Sequence, residues 1–329
     1  MQRVTLIAAL AALGFVTNAN AAGDNLESLV TARDGWVAYD VPMIAGVNGP
    51  CCYNVRGGAA TKTGCDLDKR NWSVSNDDGA PSASRDGMLA VYLKVEHGHV
   101  ERVHAVGASC PVRTASTVRW IDAVESTHSI AMLSSLLNHQ DGDAKEQSLM
   151  ALAYHADVSA TRVLAARAEP SHSFKEREQA LFWLGQTRGI EGANLVGRYA
   201  KSDADPKVRE KAVFSLAQSN APDAYATILS VAHEDTNEEV RGESLFWLAQ
   251  TEDARAKDDI IASLKSESSD KVREKAVFAL SQLDDGAADE ALIAVLRGDY
   301  SREVKKHALF WLGQSGSHQA MAYFDEALK

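Results

Sequence analysis

Four cysteines and a loose group of histidines carry most of the reactive chemistry in this sequence. Cys51, Cys52, Cys65 and Cys110 are its entire cysteine content, and all fall within a short stretch of the 329 residues. Thiols at that density can form two bridges, ligate a metal or supply a nucleophile. An even count favours two disulfides in an oxidising compartment, with Cys51 and Cys52 each joined to a distant cysteine, because a ring between adjacent residues strains the peptide. His97, His99 and His104, around Gly98, could bring two or three imidazoles to one ion. Turn histidines are more often simply solvated, and no metal site is assigned. No nucleophile elbow, phosphate loop or paired catalytic carboxylates can be recognised, so the sequence names no catalytic residue and no cofactor.

A compartment that keeps disulfides is suggested by the N-terminus. Arg3 precedes an apolar run from Val4 to Val16, and Ala19-Asn20-Ala21 follows with the small-x-small pattern of a signal-peptidase site. The expectation is a signal peptide over 1–21, cleavage before Ala22, and a periplasmic or secreted protein. The apolar run is too short to span a bilayer permanently, so no membrane insertion is expected after cleavage. Lys and Arg number 34 against 45 Asp and Glu, a net charge of −11. Losing Arg3 makes it −12, and an acidic chain without a basic block cannot gain counterion-release energy from nucleic acid.

The elements that would position these groups fall into two parts. Residues 22–112 are rich in Gly, Asn and Asp, with strand character in Trp36–Val41, Met88–Val95 and Val100–Val106. The last two are expected to form a hairpin through Glu96-His-Gly-His99. Residues 54–86 read as loop. From 113 to 329 the pattern is helical, with candidate helices at Val118–Val124 and Ser129–Leu137 before a strict repeat begins.

That repeat is 32 residues long. Phe182, Phe214, Phe246, Phe278 and Phe310 occupy one column, and Gln186, Gln218, Gln250, Gln282 and Gln314 another. Ser148–Tyr154 fits the same columns with Met for Phe and Tyr for Gln. A second apolar set, Val196, Ile228, Ile260, Leu292 and Phe324, recurs at the same interval, so each unit is a helix pair. Ser173, Asp205, Asn237, Ser269 and Ser301 stand where each Phe-bearing helix should start. Ser173 with Glu176 makes a capping box, and Pro206 suits a first helical position. A fixed period of this size implies a solenoid, in which each unit buries its apolar face only against its neighbours. Gln319–Leu328 is expected to close the stack as a lone amphipathic helix. The fold class is therefore mainly α, an α-α superhelix preceded by a small disulfide-stapled β-rich domain.

At about 100° per residue, Val208, Ala212, Val213 and Leu216 share one side of their helix while Glu210, Phe214 and Gln218 share the other. An aromatic repeated five times on a polar face can line a groove for a protein or peptide partner, with the Gln column bonding its backbone. The alternative is packing between adjacent helices. Trp183, Trp247 and Trp311 alternate with Ser215 and Ala279, a large-small pattern that favours interlocking, and give a true period of 64.

Val208-Arg209-Glu-Lys-Ala-Val-Phe and Val272-Arg273-Glu-Lys-Ala-Val-Phe resemble the short HEAT-like repeats also found in phycobilisome lyases, over roughly residues 113–329. The layout, with Trp36–Met43, Cys51-Cys52 and Phe310–Ser315, is similar to bacterial exported HEAT-repeat proteins, a family with no assigned biochemical activity. The resemblance implies that the Val-Arg helix lines the concave side. It also implies that Arg177, Arg209, Arg241 and Arg273 pair with the turn acids Asp203, Asp235, Glu267 and Asp299. Deoxyhypusine hydroxylase, a HEAT-like enzyme, binds iron through repeated His-Glu pairs, and here only His233-Glu234 occurs. The expected function is a non-enzymatic protein-binding scaffold of the cell envelope. The alternative is an enzyme or metal-dependent module in the N-terminal domain, with the solenoid recruiting substrate.

Overall fold

The computed structural model describes residues 26–56, 59–62, 64–69, 74–76, 87–139, 142–283 and 287–327. The expected leader and much of the glycine-rich stretch before Met88 lie outside them.

A short helix α1 (Leu26–Thr31) leads into β1 (Gly35–Pro42), β2 (Pro50–Arg56), β3 (Ala59–Lys62), β4 (Cys65–Asp66) and β5 (Val74–Asn76). Then come β6 (Met88–Glu96), β7 (His99–Gly107), β8 (Val112–Arg113) and β9 (Val118–Trp120). The main sheet has the order β7-β6-β1-β9. The expected hairpin is β6 and β7, with His97 in the left-handed region before Gly98. Two expectations fail here. Residues 54–86 contain short strands as well as loop, and Val118–Trp120 is a strand pairing parallel with β1 through Trp36, Val37 and Ala38, not the start of a helix. The sheet thus runs past residue 112, and the continuous helical array starts at α2.

The sheet is buried on both faces because strand side chains alternate. Val37, Tyr39, Val41, Leu89, Val91, Leu93 and Val103 join one core with Leu133, Leu137, Leu149 and Leu152 of the first array helices. Trp36, Ala38, Ala90, Tyr92 and Val106 form a second core with Cys51, Cys65, Leu67 and Cys110. Cys51 bonds to Cys110 and Cys52 to Cys65, so each of the adjacent pair reaches a distant partner. Ile44 N–H donates to the Tyr154 carbonyl (2.8 Å) and Ala156 N–H to that of Pro42 (3.0 Å), tying sheet and helices together. The β-rich segment is therefore the cap of the stack. Thiol titration of the denatured, unreduced protein is expected to find no free cysteine; two or more reactive thiols would overturn this pairing.

The array comprises α2 (Ser126–His139), α3 (Asp143–Tyr154), α4 (Val158–Arg167), α5 (Phe174–Thr187), α6 (Gly189–Ser202), α7 (Pro206–Ala217) and α8 (Ala224–Glu234). It continues with α9 (Glu238–Ala249), α10 (Ala256–Ser266), α11 (Asp270–Ser281), α12 (Ala287–Arg297), α13 (Arg302–Ser315) and α14 (His318–Ala327). Starts are set by side chains. Ser173 forms the full capping box, Asp205, Asn237 and Ser301 accept from free N–H groups, and Pro206 opens α7, whereas Ser269 makes no side-chain cap. Odd-numbered helices from α5 to α13 pack closely in succession, while the even-numbered ones touch each other far less. A layer whose members lie closer together is the inside of the curve, so the Phe-bearing helices line the concave face.

Each unit hides Leu and Val in fixed columns: Leu184, Leu248, Leu280 and Leu312 are 0% exposed. Full burial of such a side chain contributes about 1.5–3 kcal/mol. Close approach is built into α5, where a Cβ on Gly185 would meet the Ser215 carbonyl oxygen at 2.6 Å. The far end departs from expectation. Helix α14 packs on α12 and on part of α13 but leaves the inner layer incompletely covered, for Leu309 is 46% exposed where its counterparts Leu181, Val213, Leu245 and Val277 are 0%.

Candidate binding surface

Nine aromatic rings run along the concave layer, each touching the next. Tyr154 meets Trp183 (5.8 Å between centroids), which meets Phe182 (5.0 Å), which stacks on Phe214 at 6.0 Å. Phe214 meets Trp247 (4.8 Å), Trp247 meets Phe246 (5.0 Å), and Phe246 stacks on Phe278 (5.6 Å). Phe278 meets Trp311 at 5.1 Å, and Trp311 meets Phe310 at 5.0 Å. The 64-residue period has a clear physical origin. Where the column residue is Ser215 or Ala279, both buried, two Phe rings lie nearly parallel, at 11° and 3°, and where it is Trp the indole fills the next interval.

The Phe residues are neither solvated nor enclosed: Phe182, Phe214, Phe246 and Phe278 are half-buried, and Phe310 is 56% exposed. They pack against one another and still present a continuous apolar rail. Gln186 donates to the Gln218 carbonyl (3.1 Å), and Gln282 to the Ser281 hydroxyl (3.2 Å). Gln218, Gln250 and Gln314 are exposed, with no side-chain hydrogen bond among the described residues.

Beside the rail, charges pair from unit to unit: Lys211 with Glu178 (2.6 Å), Lys275 with Glu243 (2.9 Å), and Lys271 with Glu239. Exposed pairs of this kind add little stability, but they leave the flank nearly neutral. Glu210 has no such partner among the described residues. Burial, then the charges of Glu243 and Glu239, push its carboxyl upward from the usual range.

Below the rail, the arginines form a ladder. Arg209 holds both oxygens of Asp235 (2.6 and 2.7 Å) and donates to the Asp203 carbonyl (2.7 Å). Arg241 treats Glu267 and the Asp235 carbonyl in the same way, and Arg177 pairs with Asp203. Each acid also accepts from its own turn: Asp235 takes Asn237 N–H at 2.8 Å. The fourth expected pair, Arg273 with Asp299, does not form, and Arg273 bonds Asp270 instead (3.0 Å). Tyr300 follows Asp299 where the other turns have Ala204, Thr236 and Ser268, and its ring lies against the Arg273 guanidinium.

Three rungs built on one register decide the fold. The array is a HEAT-like solenoid. Residues 193–281 match the HEAT repeat family and residues 272–298 the PBS lyase HEAT-like repeat. No curated protein sequence matches the chain. Among solved structures, human deoxyhypusine hydroxylase in complex with glycerol is 19% identical, covering 57% of this chain and 75% of that one at a TM-score of 0.32. YibA of Escherichia coli is 21% identical over 62% of this chain and 78% of its own, with a TM-score of 0.39. Kap121p bound to Pho4p is 14% identical, covering 61% of this chain and 27% of that one, with a TM-score of 0.40.

The histidines do not converge. His104 is buried against Trp36 (5.6 Å), while His97 and His99 are exposed at the turn. His233 bonds the Ser263 hydroxyl (2.8 Å). Among the described residues the one group with metal-ligand proximity is Cys51, Cys65 and Cys110, whose sulfurs are in disulfides. No helix among them is long and apolar enough to cross a membrane.

Proposed function

We propose that this HEAT-like solenoid is a non-enzymatic scaffold of the cell envelope that holds an extended protein segment along its concave face. The observation that carries the reading is the half-exposed aromatic rail. Rings fixed by their neighbours offer large contact area with little rotamer entropy left to lose, and such anchors tend to dominate binding energy. Exposed Gln amides at the unit interval supply donors and acceptors for a partner's backbone. The acidic net charge argues against nucleic acid. Export is supported by the Arg3, apolar run and Ala19-Asn20-Ala21 pattern together with two disulfides, which persist in oxidising compartments.

A photo-crosslinking residue at Gln250, on the concave face, is expected to trap a discrete partner in the native envelope, and the same residue at Lys201, on the outer layer, to trap none. Mass spectrometry identifies the product. Phe214→Ala with Phe278→Ala should abolish the cross-link while destabilising the fold by about 2 kcal/mol per ring, since half-buried groups lose less than buried ones. Equal cross-linking from both positions, or capture by the double variant at wild-type level, would remove the concave face from the proposal. Fractionation that leaves the mature chain in the cytoplasm would remove the envelope from it.

A further inference from the structure

Each unit of the array is covered by the one that follows, and the covered residues recur in fixed columns. On the inner helices the stripe Arg177, Leu181 and Gly185 faces the next unit: Leu181 is 0% exposed, and a Cβ on Gly185 would meet the Ser215 carbonyl oxygen at 2.6 Å. On the outer helices the column of Tyr225 and Asp289 reaches the same way, for Tyr225 donates to Asp259 on α10 and Ser317, after α13, donates to Asp289. The last unit carries both stripes outward, as Lys305, Leu309 and Gly313 on α13 and as Met321 and Asp325 on α14. Met321 is 55% exposed where Tyr225 and Asp289 are 5% and 1%, and Leu309 and Gly313 are exposed beside it. Asp325 stands where earlier units place Leu229, Ile261 and Ile293, and neither it nor Lys305 has an ion pair among the described residues.

An end unit that meets only water is ordinarily polar on its outward side. Here that side holds two large apolar groups, a glycine in the column of closest helix approach, one cation and one anion. The opposite end of the array is closed, because Leu133, Leu137, Leu149 and Leu152 share a core with the sheet, so copies cannot stack head to tail. A second copy can meet this end only with the same end, which makes a closed two-fold contact. Helices α13 and α14 turn back on each other at Gly316, so Lys305 and Asp325 lie at the edge away from that turn. Leu309 and Met321 each lie four residues nearer to it, about 6 Å along their helices. A two-fold axis parallel to the helices lays α13 of each copy across α14 of the other. Leu309 then meets Met321 of the second copy, and Lys305 meets its Asp325, each twice by symmetry. An axis across the helices sets α13 on α13 and α14 on α14, and brings no opposite charges together. We infer that this end face joins two copies of the chain in a closed dimer, with α13 of each copy on α14 of the other. The axis exchanges inner and outer layers, so the two concave faces open to opposite sides and both aromatic rails stay free.

The experiment is sedimentation equilibrium of the full mature chain and of end-face variants. The wild type is expected to dimerise with Kd below about 20 µM, and Leu309→Asp with Met321→Asp to weaken the dimer at least about hundredfold. Both side chains are already half in water, so the variant should melt with the wild type at concentrations where each is monomeric. The charges give a second readout that does not touch the apolar groups. Lys305→Asp sets acid against acid at both contacts, Asp325→Lys sets base against base, and each alone should weaken the dimer at least about tenfold. An equimolar mixture of the two restores opposite charges at both contacts, and should form a mixed dimer within about threefold of the wild-type Kd. Three results would overturn the inference: a wild type that is monomeric at 200 µM, about ten times the expected Kd, a Leu309→Asp, Met321→Asp chain that dimerises as well as the wild type, or a mixture no tighter than its components. Cross-linking from Gln250 to an envelope partner tests the concave face separately, and none of these results bears on it.

Discussion

A chain carrying Leu248→Asp is expected to lose its helical array across several units, while Gln250→Asp, two residues further on, melts with the wild type. Leu248 is 0% exposed in the middle of the stack, and Gln250 is exposed. Removing a buried Leu costs roughly 2–5 kcal/mol, and the new carboxylate adds desolvation with no cation within the column to offset it. Because each unit is stabilised mainly by its two neighbours, breaking α9 uncouples α5 and α7 from α11 and α13. Far-ultraviolet circular dichroism melts, with limited proteolysis to locate the opened units, give the answer. Equal melting of the two variants would mean that the assignment of buried and exposed sides in the Phe-bearing helices is wrong.

How much was legible varies with how local the determining physics is. The columns at Phe214, Leu216 and Gln218 could be read because a solenoid repeats its core at the interval of its sequence, and a helix keeps those side chains on fixed faces. The concave orientation came from resemblance, and closer packing of the odd-numbered helices gives it a structural basis. Val118–Trp120 misled because its apolar spacing suits helix and strand alike, and pairing with β1, far away in sequence, decides between them. The short strands around Cys52 and Cys65 lack alternation long enough to register, and they depend on disulfides and on the sheet beneath. The broken rung was hidden for a different reason. Arg273 and Asp299 match the intact pairs in type and spacing, and that turn differs in the residues flanking the acid: Gly298 before it, where the others have Ser202, Glu234 and Ser266, and the bulk of Tyr300 after it.

Acid should loosen the joint between sheet and solenoid well before it titrates the carboxylates. His155 is 0% exposed at the end of α3. Its Nε2 lies 2.9 Å from the Ser129 hydroxyl, which in turn donates to Tyr39 on β1 (3.0 Å). With that hydroxyl donating to Tyr39, Nε2 carries the imidazole proton, and Nδ1 is buried without a partner. Arg188 donates to the His155 carbonyl (2.8 Å), so a second cation would sit against the first. Burial, then the Arg188 charge, lowers His155 from 6.5 to about 4. Burial likewise lowers His104 to about 4, against the opposing hydrogen bond with the Leu67 backbone.

Both folded values lie below those of the unfolded chain, so the unfolded chain takes up protons first. Stability is full above about pH 6.5, falls by about 1.4 kcal/mol per pH unit for each histidine, and levels off near pH 4 after a loss of roughly 3 kcal/mol apiece. Carboxylates with depressed values, such as Asp157 and Glu267, withdraw stability only below their unfolded values near 4. The interval from pH 6.5 to 5 therefore belongs to the histidines. Urea unfolding across that interval should show the slope in the wild type, about half of it in His155→Gln, and almost none when His104→Gln is added. A flat wild-type profile, or a double variant that keeps the full slope, would show that neither imidazole is held neutral by the contact between sheet and helices.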